Sequence, residues 1–243
     1  MLFLQSLRRG RLIRRYKRFL ADVLFDDGEE TTVHVANPGA MFGLAEPGVT
    51  IWCSRSPSKT RKLPLSWELV EVGAGLVDVN TSRPNRLVAE ALADGVITEL
   101  TGYTSIRAEV PYGEASRVDF LLEAADRPPC WLEVKGVTLS RTKGLAEWPD
   151  CVSARGAKHM AELQAMKASG HRAVVLFVVQ RADCDRFAVA ADLDPAYARA
   201  FDQAFSHGVE GLCYDTSIDL SAIRLTRRLT GPFGRAALDG PTT

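Results

Sequence analysis

An all-β N-terminal part followed by an α/β domain with a mixed central sheet is the architecture that three observations support. The first 75 residues or so read as short strands punctuated by turns. Beyond them, segments with helix-capping residues alternate with apolar runs. One of those runs, RAVVLFVVQ at 172–180, is nearly uninterrupted, as a strand buried on both faces of a sheet requires.

In chain order, RLIRRYKRFLADVLF reads as the first strand segment and DDGEE as a turn. TTVHVA, the turn-rich NPGAMFGLAEPG, VTIWCS, the basic loop RSPSKTRKLP and LSWELVEVG follow. Strands this short and this closely spaced suggest a small barrel or curled sheet. A boundary at Gly73–Gly75 divides the chain into a unit over 1–75 and a second over 76–230. SRPNRLVAEALADG has Ser82 as a cap, Pro84 just inside and Gly95 past the end, which reads as a helix. SIRAEVPYG, SRVDFLLEA and CWLEVKGVTL read as three strands, and SARGAKHMAELQAMKASG as a helix. After RAVVLFVVQ, DPAYARAFDQAFSHG is a helix capped by Asp194 and closed by Gly208, and VEGLCYD is a last strand. Residues 231–243, GPFGRAALDGPTT, read as a disordered tail.

Thirty basic residues balance thirty acidic ones, so the whole molecule is no general polyanion binder. The distribution is uneven: residues 1–19 hold seven Arg or Lys and no acid, and residues 22–30 hold five acids and no base. Alternating solvated faces and a basic phosphate-binding surface both fit this pattern. Five scattered cysteines without a CxxC pair fit reduced thiols and offer no zinc site. Apolar residues precede the positive charges at the start, the reverse of a secretory signal, and AVVLFVV is too short to span a bilayer. A cytoplasmic protein with no membrane partner is expected; its oligomeric state, a dimer included, stays open.

The chemistry is suggested by charge inside apolar strands. Asp119 lies in SRVDFLLEA, and Glu133 and Lys135 lie in CWLEVKGVTL, where they leave one face while Leu132 and Val134 leave the other. Buried charge is costly unless it is paired or bound to a metal. Two neighbouring carboxylates resist joint ionisation unless a cation separates them, and oxygen-only ligation suits Mg²⁺ or Mn²⁺. A lysine beside them can stabilise phosphate charge, so the set meets the needs of phosphodiester hydrolysis. A structural Glu133–Lys135 pair fits the same residues. On the first helix, Arg83, Arg86 and Glu90 form a polar stripe that either brings Glu90 up as a third carboxylate or is a plain Arg86–Glu90 surface pair. On the second helix, Arg155, Lys158, His159 and Glu162 share one side.

A helix with Glu, a strand with Asp and a strand with E-x-K resemble the PD-(D/E)xK restriction-endonuclease-like superfamily. More narrowly, RYKRFLADV, NPGAM, WELV, VNTSRPNRL, SRVDFLLE, CWLEVKGVTL, WPDCVSARGAKHM and HRAVVLFVV make the chain similar, in order along its length, to the sugar fermentation stimulation protein family. That resemblance implies an OB-like barrel, a restriction-endonuclease-like α/β domain, DNA binding and a regulatory role in sugar (maltose) use. By position it puts Glu90, Asp119, Glu133 and Lys135 in the nuclease motif, with Asp119, Glu133 and Glu90 as the metal set. Arg155, Lys158 and His159 fall in the helix that follows. Pro38 stands where a threonine is expected in the Asn37–Met41 turn.

An OB-like barrel accommodates single-stranded DNA through basic residues and stacking aromatics. The nucleic-acid-binding candidates are Arg14, Arg15, Lys17 and Arg18 on the first strand, Arg55, Lys59, Arg61 and Lys62 in the later loop, and Arg155, Lys158 and His159 on the second helix of the α/β domain. Tyr16, Phe19, Trp52 and Trp67 are candidate platforms, each also a candidate core residue. The segment SRTKGLAEWPDC reads as a loop, either a closing flap or a simple connection. A Mg²⁺-dependent nuclease, a catalytically silent DNA-binding regulator and a small-molecule sugar or phosphate enzyme are the three functions compatible with these readings. The last lacks a phosphate-binding glycine loop.

Overall fold

The computed structural model describes residues 1–113 and 116–233. Its first sheet is built from β1 (Arg8–Tyr16), β2 (Leu20–Phe25), β3 (Glu30–Val35), β4 (Thr50–Arg55), β5 (Leu65–Val72) and β6 (Gly75–Asp78). The order β3-β2-β1-β4-β5 closes on itself through a parallel β3–β5 pairing at His34–Ser66 and Val35–Trp67, giving a five-stranded OB-like barrel. Alternation sends Leu12, Val23, Phe25, Val33, Ile51 and Trp67 inward, where all are buried. Trp67 is therefore core and not a platform; its indole N–H is satisfied by the Leu69 carbonyl.

The expected first strand is in fact two. The chain reverses at Lys17–Phe19, with Lys17 (φ 47°) and Arg18 (φ 61°) both left-handed. No Gly, Asn or Asp announces this turn, which is why the run read as continuous. The antiparallel register then sets the basic strand against the acidic one, pairing Arg14 with Asp22, Arg9 with Asp26 and Arg8 with Asp27. The chain leaves the first sheet after Asp78 and not at Gly73–Gly75, because Gly73 (φ 57°) is the tip of the β5–β6 hairpin.

The second unit opens with α1 (Arg83–Ala93) and continues with β7 (Ser105–Tyr112), β8 (Ser116–Ala124), β9 (Arg127–Val137), β10 (Leu139–Thr142) and β11 (Gly144–Trp148). Next come α2 (Ala154–Ala168), β12 (Arg172–Val179), β13 (Cys184–Val189), α3 (Pro195–Ser206), β14 (Glu210–Ile218) and β15 (Ile223–Arg228). The central sheet has the order β15-β14-β12-β9-β8-β7. β9, β12 and β14 are parallel and the outer strands antiparallel, so the sheet is mixed. One face packs Leu132, Val134, Leu176 and Leu122 against Leu87 and Val88 of α1. The other packs Val175 and Phe177 against Met160 and Leu163 of α2 and Phe201 of α3.

SRTKGLAEWPDC is largely a β10–β11 hairpin that joins β13 in a separate three-stranded sheet, so it is a fixed wall and not a loop. β13 and β15, short and broken by charge, went unread in the sequence. Asp194 caps α3 by accepting from Tyr197 N at 2.9 Å and also takes Ser153 N at 2.7 Å, tying the starts of α2 and α3 together. Ser82 begins α1 without capping it; its hydroxyl donates instead to Asn80. Of the expected disordered tail, Phe233 packs on Phe177 and Phe187, and residues 234–243 lie outside the described residues.

The two units are fastened by a buried charge cluster. Arg83, 7% exposed, donates to Asp78 Oδ1 at 2.5 Å and also to Glu68, and Asn80 Nδ2 reaches Glu68 at 3.2 Å. Barrel carboxylates and the first residue of α1 are thereby joined out of water.

Candidate active site

The site begins where β8 and β9 part. Their ladder ends at Phe120–Leu132, and Asp119 then accepts the Val134 N–H through Oδ2 at 2.7 Å. Its other oxygen, Oδ1, takes a 2.7 Å hydrogen bond from Asn85 in the first turn of α1. Glu133 and Lys135 leave β9 on the α2 side, and Lys135 Nζ donates to Glu133 Oε1 at 2.6 Å. His159 of α2 contacts the same oxygen through Nδ1 and is itself 3% exposed. Arg155 donates from Nε to His159 Nε2 at 3.2 Å. A guanidinium N–H only donates, so Nε2 carries the lone pair and the ring proton lies on Nδ1, facing Glu133. Trp148 lies beside Lys135, its ring centre 5.8 Å from Nζ and its edge held on Tyr197.

The two carboxylates are driven apart in acidity. Burial, and then the charge of Glu133, raises Asp119 above the usual carboxylate range, against the pull of the Val134 and Asn85 donors. Glu133 is more deeply buried, but the His159 hydrogen bond and the Lys135 charge outweigh that burial and hold Glu133 below its ordinary value. Glu133 Oε2 is buried and has no partner among the described residues. Among the described residues no three His, Cys, Asp or Glu side chains gather closely enough to hold a metal ion alone. Mg²⁺, however, ordinarily keeps several waters and takes only one or two carboxylates plus substrate phosphate. Two carboxylates, one with an orphaned buried oxygen, fit that requirement.

Glu90 does not join them. It lies five residues beyond Asn85, about 140° further round the helix, and its carboxylate pairs with the Met1 amine at 2.6 Å and Arg86 at 3.4 Å. The spacing that suggested a third carboxylate reports a surface pair. Asn85 is the α1 residue at the site, and sequence reading missed it because a neutral amide after a helix-starting proline carries no distinctive signal. Glu162 of α2 accepts from Ser116 Oγ at 2.7 Å and sits near Lys158 at 3.6 Å, and its other oxygen is buried without a partner among the described residues.

The proposed nucleic-acid contacts divide. Arg14 is paired to Asp22 at 2.8 Å, and Arg15 holds the barrel together by donating to the carbonyls of Arg18, Asn37 and Gly39. Lys17 and Arg18 stand exposed at the hairpin tip and, like Arg55 at the end of β4 and Lys59, Arg61 and Lys62 in the β4–β5 connection, form no ion pair among the described residues; Arg61 does donate to Ser66 Oγ at 2.9 Å. Arg155 and His159 belong to the Glu133 network and Lys158 to Glu162. Tyr16 donates to Asp22, Trp52 to Glu71, and Phe19, 45% exposed, stacks on His34. No described helix is long and apolar enough to cross a membrane.

Comparison with known proteins agrees with this two-part fold. Residues 13–79 match the model of the SfsA N-terminal OB domain, and residues 82–222 match that of the sugar fermentation stimulation protein RE domain. A sugar fermentation stimulation protein homolog of Caulobacter vibrioides is 53% identical over 229 residues, covering 94% of this chain and 96% of its own. Its counterpart in Rhodospirillum centenum is 55% identical over 218 residues, covering 90% and 94%. In fold, the chain is similar to SfsA of Pyrococcus furiosus solved in complex with Ca²⁺, with a TM-score of 0.85 at 24% identity over 95% of this chain and 97% of that one. The chain belongs to the sugar fermentation stimulation protein family.

Proposed function

We propose that this protein binds DNA and hydrolyses its phosphodiester bonds with the help of Mg²⁺ or Mn²⁺. The observation that carries the reading is the pairing of Asp119, raised in pKa by burial and by Glu133, with the unpartnered buried Oε2 of Glu133. Asp119 and Glu133 would hold the ion, which when bound would supply positive charge to the scissile phosphate and lower the pKa of water. Lys135 offsets charge on the non-bridging oxygens. His159, oriented by Arg155, fixes the Glu133 carboxylate, and Asn85 fixes Asp119. The Pyrococcus furiosus protein was solved in complex with Ca²⁺, and that motivates a divalent-ion reading of this chain. The relatives' name connects them with sugar fermentation, and a regulatory role in sugar (maltose) use is carried to this chain by that name alone.

A second reading, a DNA-binding regulator that does not cleave, is favoured by the engagement of Lys135 Nζ with Glu133 at 2.6 Å, which occupies the amine. One experiment separates them: labelled single- and double-stranded DNA is incubated with Mg²⁺, Mn²⁺ or EDTA, beside Asp119→Ala and Lys135→Ala. Metal-dependent cutting lost in both variants supports hydrolysis. Salt-sensitive binding without cutting supports the regulator, and absence of binding removes both.

A further inference from the structure

A cavity of about 330 Å³ separates the barrel loop Asn37–Gly39 from the segment Trp148–Cys151. Gly136 and Gln180 also line it, and Gly136 directly follows Lys135, so the cavity adjoins the carboxylate site. Gln180 is 1% exposed. Its orientation is set by its donors, Nε2 reaching Asp78 Oδ2 at 2.8 Å and Asn80 O at 3.2 Å. Oε1 is thereby turned toward Gly136 and left without a partner. A buried acceptor lacking a donor is costly, and Gln180 carries that cost beside the cavity it lines. Across the cavity, Asp150 forms no ion pair among the described residues and lies so close to Gly39 that a β-carbon there would stand 2.4 Å from Oδ2. Asn37 and Glu147 are committed elsewhere, to Val79 and Gly39 and to Arg141.

The rim has the opposite character. Lys17 and Arg18, in left-handed conformations, are exposed, and Arg15 ties this tip to the cavity wall by donating to the carbonyls of Arg18, Asn37 and Gly39. Left-handed non-glycine residues are strained, and such strain clusters where function holds it. Cations outside and the Asp150 carboxylate inside match a nucleotide with its phosphate at the rim and its N–H groups within. The volume is at the small end of the roughly 300–1,000 Å³ typical of ligand sites, enough for one base and not for a base pair.

We propose that this cavity takes one unpaired base of a single-stranded nucleic acid, guanine by preference. Guanine presents adjacent N1–H and N2–H donors, which one carboxylate accepts together, and Asp150 supplies that carboxylate. In a duplex this edge is engaged by cytosine, so only an unpaired base can enter. The inference deepens the nucleic-acid reading above and rests on it, but it does not need hydrolysis.

The test is competition in EDTA, where cutting is blocked. A fluorescein-labelled oligo-dT is bound to the full chain, and GMP or TMP is titrated while polarisation is read. GMP is expected to displace the oligonucleotide at a concentration at least tenfold below TMP. Asp150→Ala, at a half-exposed residue without ion pairs, is expected to reduce that ratio to threefold or less while the oligonucleotide still binds. Equal competition by the two nucleotides, or an unchanged ratio in Asp150→Ala, overturns the base-pocket proposal and leaves the nucleic-acid reading standing. Failure of the wild-type chain to bind oligo-dT overturns both.

Discussion

Asp119 and Glu133 illustrate how one environment separates two like groups. Glu133 is buried and Asp119 half-buried, yet only Glu133 has a cation and a ring N–H on the same oxygen, so Asp119 bears the repulsion. Asp119 holds its proton to a higher pH than an ordinary carboxylate, and below that raised pKa a metal ion has to displace the proton. Divalent-ion affinity is therefore expected to fall as pH drops through the raised Asp119 pKa. In Glu133→Gln, NMR titration of Asp119 should find its pKa moved back toward the ordinary range. Glu90→Ala is expected to leave DNA cutting within about twofold of wild type and to cost about 0–1 kcal/mol, as exposed ion pairs do; a large loss of cutting would return Glu90 to the site. The three motif charges stood out in the sequence because they interrupt apolar runs. Asn85 and Gln180 did not, because neutral amides at a helix start and a strand end break no pattern, and their importance arises only from what the fold sets opposite them.

The β1–β2 hairpin decides which cations are available. The register places Arg8, Arg9 and Arg14 beside acids of β2 or its turn, while Arg11 and Arg15 donate to backbone carbonyls, so the basic side chains of residues 1–19 that stay uncommitted are those of the Lys17–Arg18 tip. Arg14→Ala is accordingly expected to leave the salt dependence of DNA binding unchanged. Lys17→Ala and Arg18→Ala should each lower the slope of log affinity against log salt by about 1. Equal effects of all three would mean that the Arg14–Asp22 pair opens on DNA. The helices were legible from Asp194, Pro195, Gly95 and Gly208, whose chemistry fixes where a helix starts or stops. The hairpin was not, because Lys17 and Arg18 adopt a conformation that their side chains do not advertise.

The whole molecule is a closed barrel fastened to a mixed-sheet domain by Arg83, Asp78 and Glu68, with the carboxylate site and the adjoining cavity near the seam. Removing one partner of a buried ion cluster leaves uncompensated charge, so Arg83→Met is expected to cost about 3–5 kcal/mol in urea unfolding. A cost under about 1 kcal/mol would mean that the cluster does not fasten the units. The barrel-then-α/β order was readable from strand spacing and caps; the seam was not, since Glu68, Asp78 and Arg83 look like surface charges until the fold buries them. Calorimetric titration of Mn²⁺ into the apo chain and into Asp119→Asn asks whether Asp119 and Glu133 together bind a divalent ion. One ion per wild-type chain and none in Asp119→Asn is the expected result. A wild-type chain that takes up no ion, or a variant that binds it equally well, would contradict the metal site.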